Sequence, residues 1–214
     1  MVYCFIYMSK GARQMKSIGA KATMLGIVTN FCLFLIKLYI GISSNSLSIY
    51  CDAVNNMGDA LGCVIAFAGF LAINRLDETK SNRAQSLCTF VINLIVAVCG
   101  AYFIYNGLER IMYPLPVSYS VKYAVVISAT VLVKVVLGVL YICMNKKENS
   151  TVLRAMILDS FLDCFITIAA LMGLFLIPKI DFAADGIFSV LAGAMVFIFS
   201  AKGIAGEVKY LING

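Results

Sequence analysis

The 214-residue chain contains no histidine and no tryptophan, only three prolines, and a charged fraction of just 13%. Each shortage excludes something. Without histidine, zinc, iron or copper centres built on imidazole are ruled out, so any metal site must use oxygen or an isolated thiolate. Without tryptophan, tyrosines such as Tyr39, Tyr113, Tyr119 and Tyr123 are left to anchor helix ends at a membrane interface. Of eight cysteines (Cys4, Cys32, Cys51, Cys63, Cys88, Cys99, Cys143, Cys164), no two stand at the C-x-x-C spacing of a thiolate metal site or redox pair. Most fall within apolar runs, where a free thiol acts as a small hydrophobe, and Cys51, beside Asp52, is the one to watch.

What is abundant is apolar. With 62% hydrophobic residues and a mean hydropathy of +0.94, the chain belongs in a bilayer. Its formal net charge of +6 lies in short segments between apolar runs and forms no continuous basic face, so nucleic acid is excluded as a partner. The opening run Met1 to Met8 precedes its cations, the reverse of a secretory leader, and reads as a short extension.

Crossing the hydrocarbon core takes about 20 apolar residues in a helix. Six runs qualify, at roughly 22–42, 46–74, 86–112, 118–144, 149–177 and 183–204, with short polar connections. The expected fold class is an all-α membrane protein of six transmembrane helices. Residues 1–21 form an N-terminal cytoplasmic segment, 22–205 the transmembrane domain and 206–214 a short cytoplasmic tail. Lysine and arginine set the orientation. Lys10, Arg13, Lys16, Lys21, Arg75, Lys80, Arg83, Lys146, Lys147 and Lys209 fall on one side, against Arg110, Lys122 and Lys179 on the other, which places both termini in the cytoplasm.

An acidic side chain at the bilayer centre costs a few kcal/mol and therefore faces the bundle interior for a reason. Helix 2 carries Asp52 and Asp59, and helix 5 carries Asp159 and Asp163. Asn55 and Asp59 are four apart, as are Asp159 and Asp163, so each pair lies on one helix face about a turn apart. At ~1.5 Å of rise per residue all four groups fall within about a turn of the midplane and can meet around one ion. A lone transmembrane Asp can equally well bond a neighbouring helix, but two matched pairs at one depth favour a site. Asn56 competes with Asn55 as a donor, being four from Asp52 and three from Asp59. Asp52, nearer the outer end, suits a gating or capping group as well as a ligand.

Four oxygen donors, three of them carboxylates, suit a hard or borderline divalent cation. Manganese leads, with ferrous iron close behind. Magnesium is disfavoured because it dehydrates reluctantly. Three facing carboxylates cannot all remain ionised without a cation, so departure of the metal would be coupled to protons. Lys37 either snorkels or pairs with Asp52, Lys134 likewise pairs or snorkels, and Asn30 reads as packing. Glycines at 62, 69, 100, 107, 138, 173, 186 and 193 allow close helix approach.

The stretch Lys37 to Gly41 followed by Ser44 to Asp59, together with Asp159-Ser160-Phe161-Leu162-Asp163 and the tail from Asp181 through Ala184-Asp185-Gly186 to Gly214, resembles the cation diffusion facilitators from about residue 16 onward. The resemblance implies six helices with cytoplasmic termini, a homodimer, and exchange of a divalent metal for protons by alternating access. It also implies metal ligands at Asn55, Asp59, Asp159 and Asp163, with Asn and Asp where zinc members place histidine, the manganese-type pattern. The metal is then transported substrate, and no cofactor is expected. The family continues into a cytoplasmic metal-binding domain that would begin beyond Gly214, so the expectation is a member without it. The loop between helices 2 and 3 offers only Asp77 and Glu78, and no second metal site is assigned there. The expected function is divalent-cation efflux at the plasma membrane, and the alternative is a non-transporting membrane partner or regulatory subunit. An intramembrane enzyme has no support in any catalytic motif.

Overall fold

A computed structural model describes residues 16–72, 78–148, 151–180 and 183–213, and among these every regular element is an α-helix. The six are α1 (Lys16–Ser44), α2 (Leu47–Ala72), α3 (Glu78–Met112), α4 (Val121–Glu148), α5 (Thr151–Ile180) and α6 (Ala183–Asn213). They match the six apolar runs one for one. Among the described residues, five of them are long and apolar enough to cross a membrane. The 26 residues of α2 reach ~39 Å and carry Asp52, Asn55, Asn56 and Asp59.

The helices outlast the runs that announced them. α1 starts at Lys16, within the segment expected to precede it, and α6 continues to Asn213 through residues expected as a tail. A hydrocarbon-length criterion counts only the apolar stretch, whereas backbone hydrogen bonding continues into the polar ends. In the last third of α6, Glu207 is buried and accepts a hydrogen bond from Ser86 of α3, which ties that part of the helix to α3. Lys10, Arg13, Arg75 and Asp77 lie outside the described residues.

The bundle is apolar outside and polar inside. Leu87, Val91, Ile95, Val98 and Tyr102 on α3 and Leu132, Val136 and Val139 on α4 are exposed, whereas Asp52, Asp59, Asp163, Lys37 and Lys134 are buried. That inversion is what a lipid solvent selects, because hydrocarbon rejects charge and accepts Val and Leu. α2 and α5 lie inside the bundle. α2 packs on α1, α3, α5 and α6, and α5 packs on α1, α2, α4 and α6. The flanking pairs are α3 with α6 and α1 with α4.

The α3–α6 pair is antiparallel and close. A Cβ added to Gly100 would fall 3.0 Å from the carbonyl of Gly193, and one added to Gly107 3.0 Å from that of Gly186. Seven residues separate the members of each set on each helix, and Ser86 opposite Glu207 extends the same register. Small residues at these positions let backbone meet backbone.

Two apolar layers bracket the polar centre. One joins Ala22, Cys63, Leu137, Tyr141, Leu153 and Met156, from the start of α1 and α5 and the far ends of α2 and α4. The other joins Ile40, Ile49, Val117, Ile127, Ala170 and Leu174 at the opposite end. Cys51 packs in a third cluster with Phe103, Ile166, Ala192 and Val196, so it is a core residue despite its neighbour Asp52.

Candidate metal site

The i, i+4 spacing on α2 and α5 does what helical geometry requires of it, turning both pairs toward the same point. One carboxylate oxygen from each of Asp59, Asp159 and Asp163 lies within 4.8 Å of the others. Asp59 and Asp163 are 5% and 2% exposed, which places them out of reach of bulk water. A cation bonded to oxygen at ~2.0–2.6 Å bridges oxygens separated by up to about 4–5 Å, so the three suit a shared ion.

Asn55 joins them through its amide nitrogen, which donates to Asp163 Oδ1 at 2.5 Å. The amide carries a donor and an acceptor on one planar end, and a half turn would offer its oxygen in place of nitrogen. All four residues singled out from the sequence are thus brought together.

Two more groups complete the centre. Lys134 of α4 donates to Asp163 Oδ2, stands 3.5 Å from Asp59 Oδ2, and donates to Asn30 Oδ1 of α1 at 2.6 Å. Its side chain is 1% exposed, so it pairs inward and does not snorkel. Asn30, read from the sequence as packing, is instead the neutral acceptor for this ammonium. The signal was present in the chain, because Asn30 and Lys134 fall near the middle of α1 and α4 just as Asp59 does in α2.

Asp52 and Asn56 form a separate cluster. Lys37 Nζ stands 2.9 Å from both Asp52 oxygens, donating squarely to Oδ1 and holding Oδ2 by charge alone. Thr167 accepts from Lys37 at 2.8 Å, and its hydroxyl is within donating distance of Asp52 Oδ1 (3.2 Å) and of the Asp163 carbonyl (2.9 Å). Asn56 donates to the Asp52 carbonyl at 2.8 Å. Of the two readings for Lys37, pairing holds. Its one-to-one match with Asp52 makes a self-neutral ion pair one layer away from the three carboxylates. Lys37→Met is expected to destabilise the bundle by about 3–5 kcal/mol, by leaving a buried carboxylate unpaired. The double substitution Lys37→Met with Asp52→Leu should recover most of that loss, as read by thermal unfolding in detergent.

A third cluster pins the end where α1 turns into α2. Asn45 takes a left-handed backbone there (φ 56°). Asp185, near the start of α6, accepts from the Ser46 and Ser48 hydroxyls at 2.7 Å each and from the Leu47 and Ser48 amides at 2.8 and 3.3 Å. It thereby caps α2 from another helix, where free amides would otherwise go unpaired. Arg110 binds Asp185 Oδ2 and the Asn45 carbonyl at 2.7 Å each. Counted from the sequence among the cations of the sparse side, Arg110 is spent inside the fold.

The comparisons agree with this architecture. Residues 23–212 match the family model described as the cation efflux transmembrane domain. An uncharacterised transporter of Methanocaldococcus jannaschii is 26% identical over 180 residues, covering 82% of this chain and 64% of that one. The manganese efflux system protein MneP of Bacillus subtilis is 21% identical over 214 residues, covering 94% of this chain and 71% of that one. With the family model spanning most of its length, the chain belongs to the cation efflux family of multi-pass membrane transporters, which are not enzymes.

Proposed function

We propose that this chain exports a divalent cation, manganese foremost and then iron, cobalt, zinc or cadmium, from the cytoplasm in exchange for protons. The observation that carries this reading is the meeting of Asp59, Asp159 and Asp163 oxygens within 4.8 Å between α2 and α5, Asp59 and Asp163 buried and Asp159 half-buried. With every group ionised, these three carboxylates and Lys134 leave two surplus negative charges, the charge of one divalent ion. The donor set is oxygen alone, completed by the Asn55 amide oxygen once it is turned inward, and this favours manganese over zinc. The name of the distant Bacillus relative points the same way.

In this reading α2 also spans the bilayer, giving six spans with both termini cytoplasmic, and the chain acts as a homodimer in the plasma membrane. Cargo enters between the two apolar layers, which take turns in closing the site. Protons replace the metal on the carboxylates for the return step, because three facing anions in hydrocarbon need compensation.

Purified protein in proteoliposomes tests the proposal. Saturable Mn2+ uptake, competed by Fe2+, Co2+, Zn2+ and Cd2+ but little by Mg2+, is expected together with opposite proton movement reported by an internal pH dye. No saturable uptake of any of these ions would end it. One observation favours a second reading: an ammonium already occupies the carboxylates, as it would in a non-transporting membrane partner. That protein would show no uptake and would bind another membrane protein whether or not metal were present.

A further inference from the structure

We propose that Lys134 is a tethered competitor for the cation site, its ammonium holding the carboxylates between cargo ions and withdrawing as each ion binds. The inference rests on the cation-site reading above and names the residue that sets affinity in that site.

The geometry carries it. The Lys134 ammonium bonds Asp163 and stands 3.5 Å from Asp59, two of the three carboxylates that a shared metal ion would need. A divalent ion and an ammonium cannot both press on one carboxylate oxygen, since like charges at contact distance repel strongly in a buried setting. One must retreat for the other to bind. The lysine is built for retreat, having a long flexible stem that carries a compact charge. It also comes from outside the site's own helices. α4 packs on α5 and α1 but not on α2, so among the described helices Lys134 reaches Asp59 across a gap that its backbone does not bridge. Asn30 of α1 supplies a neutral acceptor, 2.6 Å from the ammonium, with which Lys134 keeps a hydrogen bond while it gives way.

Lys37 shows what a purely structural lysine looks like in the same bundle. It faces a single carboxylate, Asp52, and the pair is neutral with no anion left over. Lys134 faces a cluster of three and leaves a surplus that only another cation can satisfy. Because the ammonium stays within the bundle after withdrawing, the divalent ion still closes the charge balance. The competitor also serves transport. Without it, the anionic cluster would hold cargo too long, whereas a returning ammonium helps eject the ion.

Mn2+ binding by calorimetry and Mn2+ transport in proteoliposomes, at one fixed pH, test this with Lys134→Gln and Lys134→Arg. Lys134→Gln is expected to bind Mn2+ about tenfold or more tightly, and to transport with lower KM and lower kcat. Lys134→Arg, which keeps the charge but not the compact ammonium, should bind Mn2+ less tightly than Lys134→Gln. If Lys134→Gln folds only when purified in Mn2+, the metal has taken the ammonium's place and the proposal stands. Unchanged or weaker binding by Lys134→Gln would overturn it, as would a failure to fold even with Mn2+ present. If neither wild type nor variants bind Mn2+ or the other divalent ions, the cation-site reading falls as well, a result distinct from metal binding that ignores Lys134.

Discussion

Asp163→Asn is expected to leave a folded protein that no longer transports a divalent cation. Asp163 is the busiest group in the centre, accepting from Asn55 at 2.5 Å and from Lys134, and lending its carbonyl to Thr167. The amide replacement keeps the size and an acceptor for the ammonium, but removes the negative charge on which a divalent ion depends. Loss of partners merely outside a metal's ligand shell costs ~10–100-fold in affinity, and loss of a charged ligand should exceed that. Asp163→Ala should lose transport too, and stability with it. Truncation deprives a buried ammonium of its chief partner, a defect of about 3–5 kcal/mol. Size-exclusion profiles, thermal unfolding and Mn2+ uptake, measured side by side, separate the two effects. Full transport by Asp163→Asn would remove the carboxylate from the mechanism. Asp59→Asn is expected to follow the same pattern, with a smaller stability change because Lys134 stands farther from it.

The second large effect belongs to Asp185, far from the centre. Its two oxygens collect two serine hydroxyls, two backbone amides of the α2 N-terminus and the Arg110 guanidinium, with the carboxylate wholly buried. Asp185→Ala removes all of these at once and strands an arginine that is 7% exposed. A loss of about 3–5 kcal/mol is expected, enough to cost a marginal membrane bundle most of its yield. Much of that cost is the stranded charge, so Asp185→Ala with Arg110→Met should unfold at a higher temperature than Asp185→Ala alone. A double variant no better than the single would show that capping of α2, and not charge, is what Asp185 supplies.

The helices were legible because crossing hydrocarbon forces long apolar runs, and each of the six runs became a helix. The meeting of Asn55, Asp59, Asp159 and Asp163 was legible because four-residue spacing on two helices of equal depth leaves few alternatives. Partners on other helices were harder. Lys134 and Asp163 are 29 residues apart, and Asn30 and Lys134 104, and nothing local links such positions. Depth was the available clue: a lysine and an asparagine at mid-helix share a layer with carboxylates at mid-helix. The role of Asp185 was hidden for another reason. It lies at a helix start, where an acidic residue is at home beside the positive end of its own helix dipole, so nothing marked it as the cap of a different helix. Arg110 stands in the last turn of α3, near a loop as counted, but its pairing with Asp185 was not legible because counting charge near loops ignores whether the charge points back into the bundle.

The glycine seam between α3 and α6 constrains how such a molecule can move. Side chains can trade rotamers and let two helices slide smoothly, but a contact of backbone on backbone at Gly100, Gly107, Gly186 and Gly193 has no rotamers to trade. A small slip would drive neighbouring side chains such as Phe103, Ile111 and Val190 into the space the glycines leave open. The two helices therefore travel together, as one rigid rail. In the proposed transport cycle, opening the centre to either side of the membrane would then fall to α1, α2, α4 and α5, shifting against that rail.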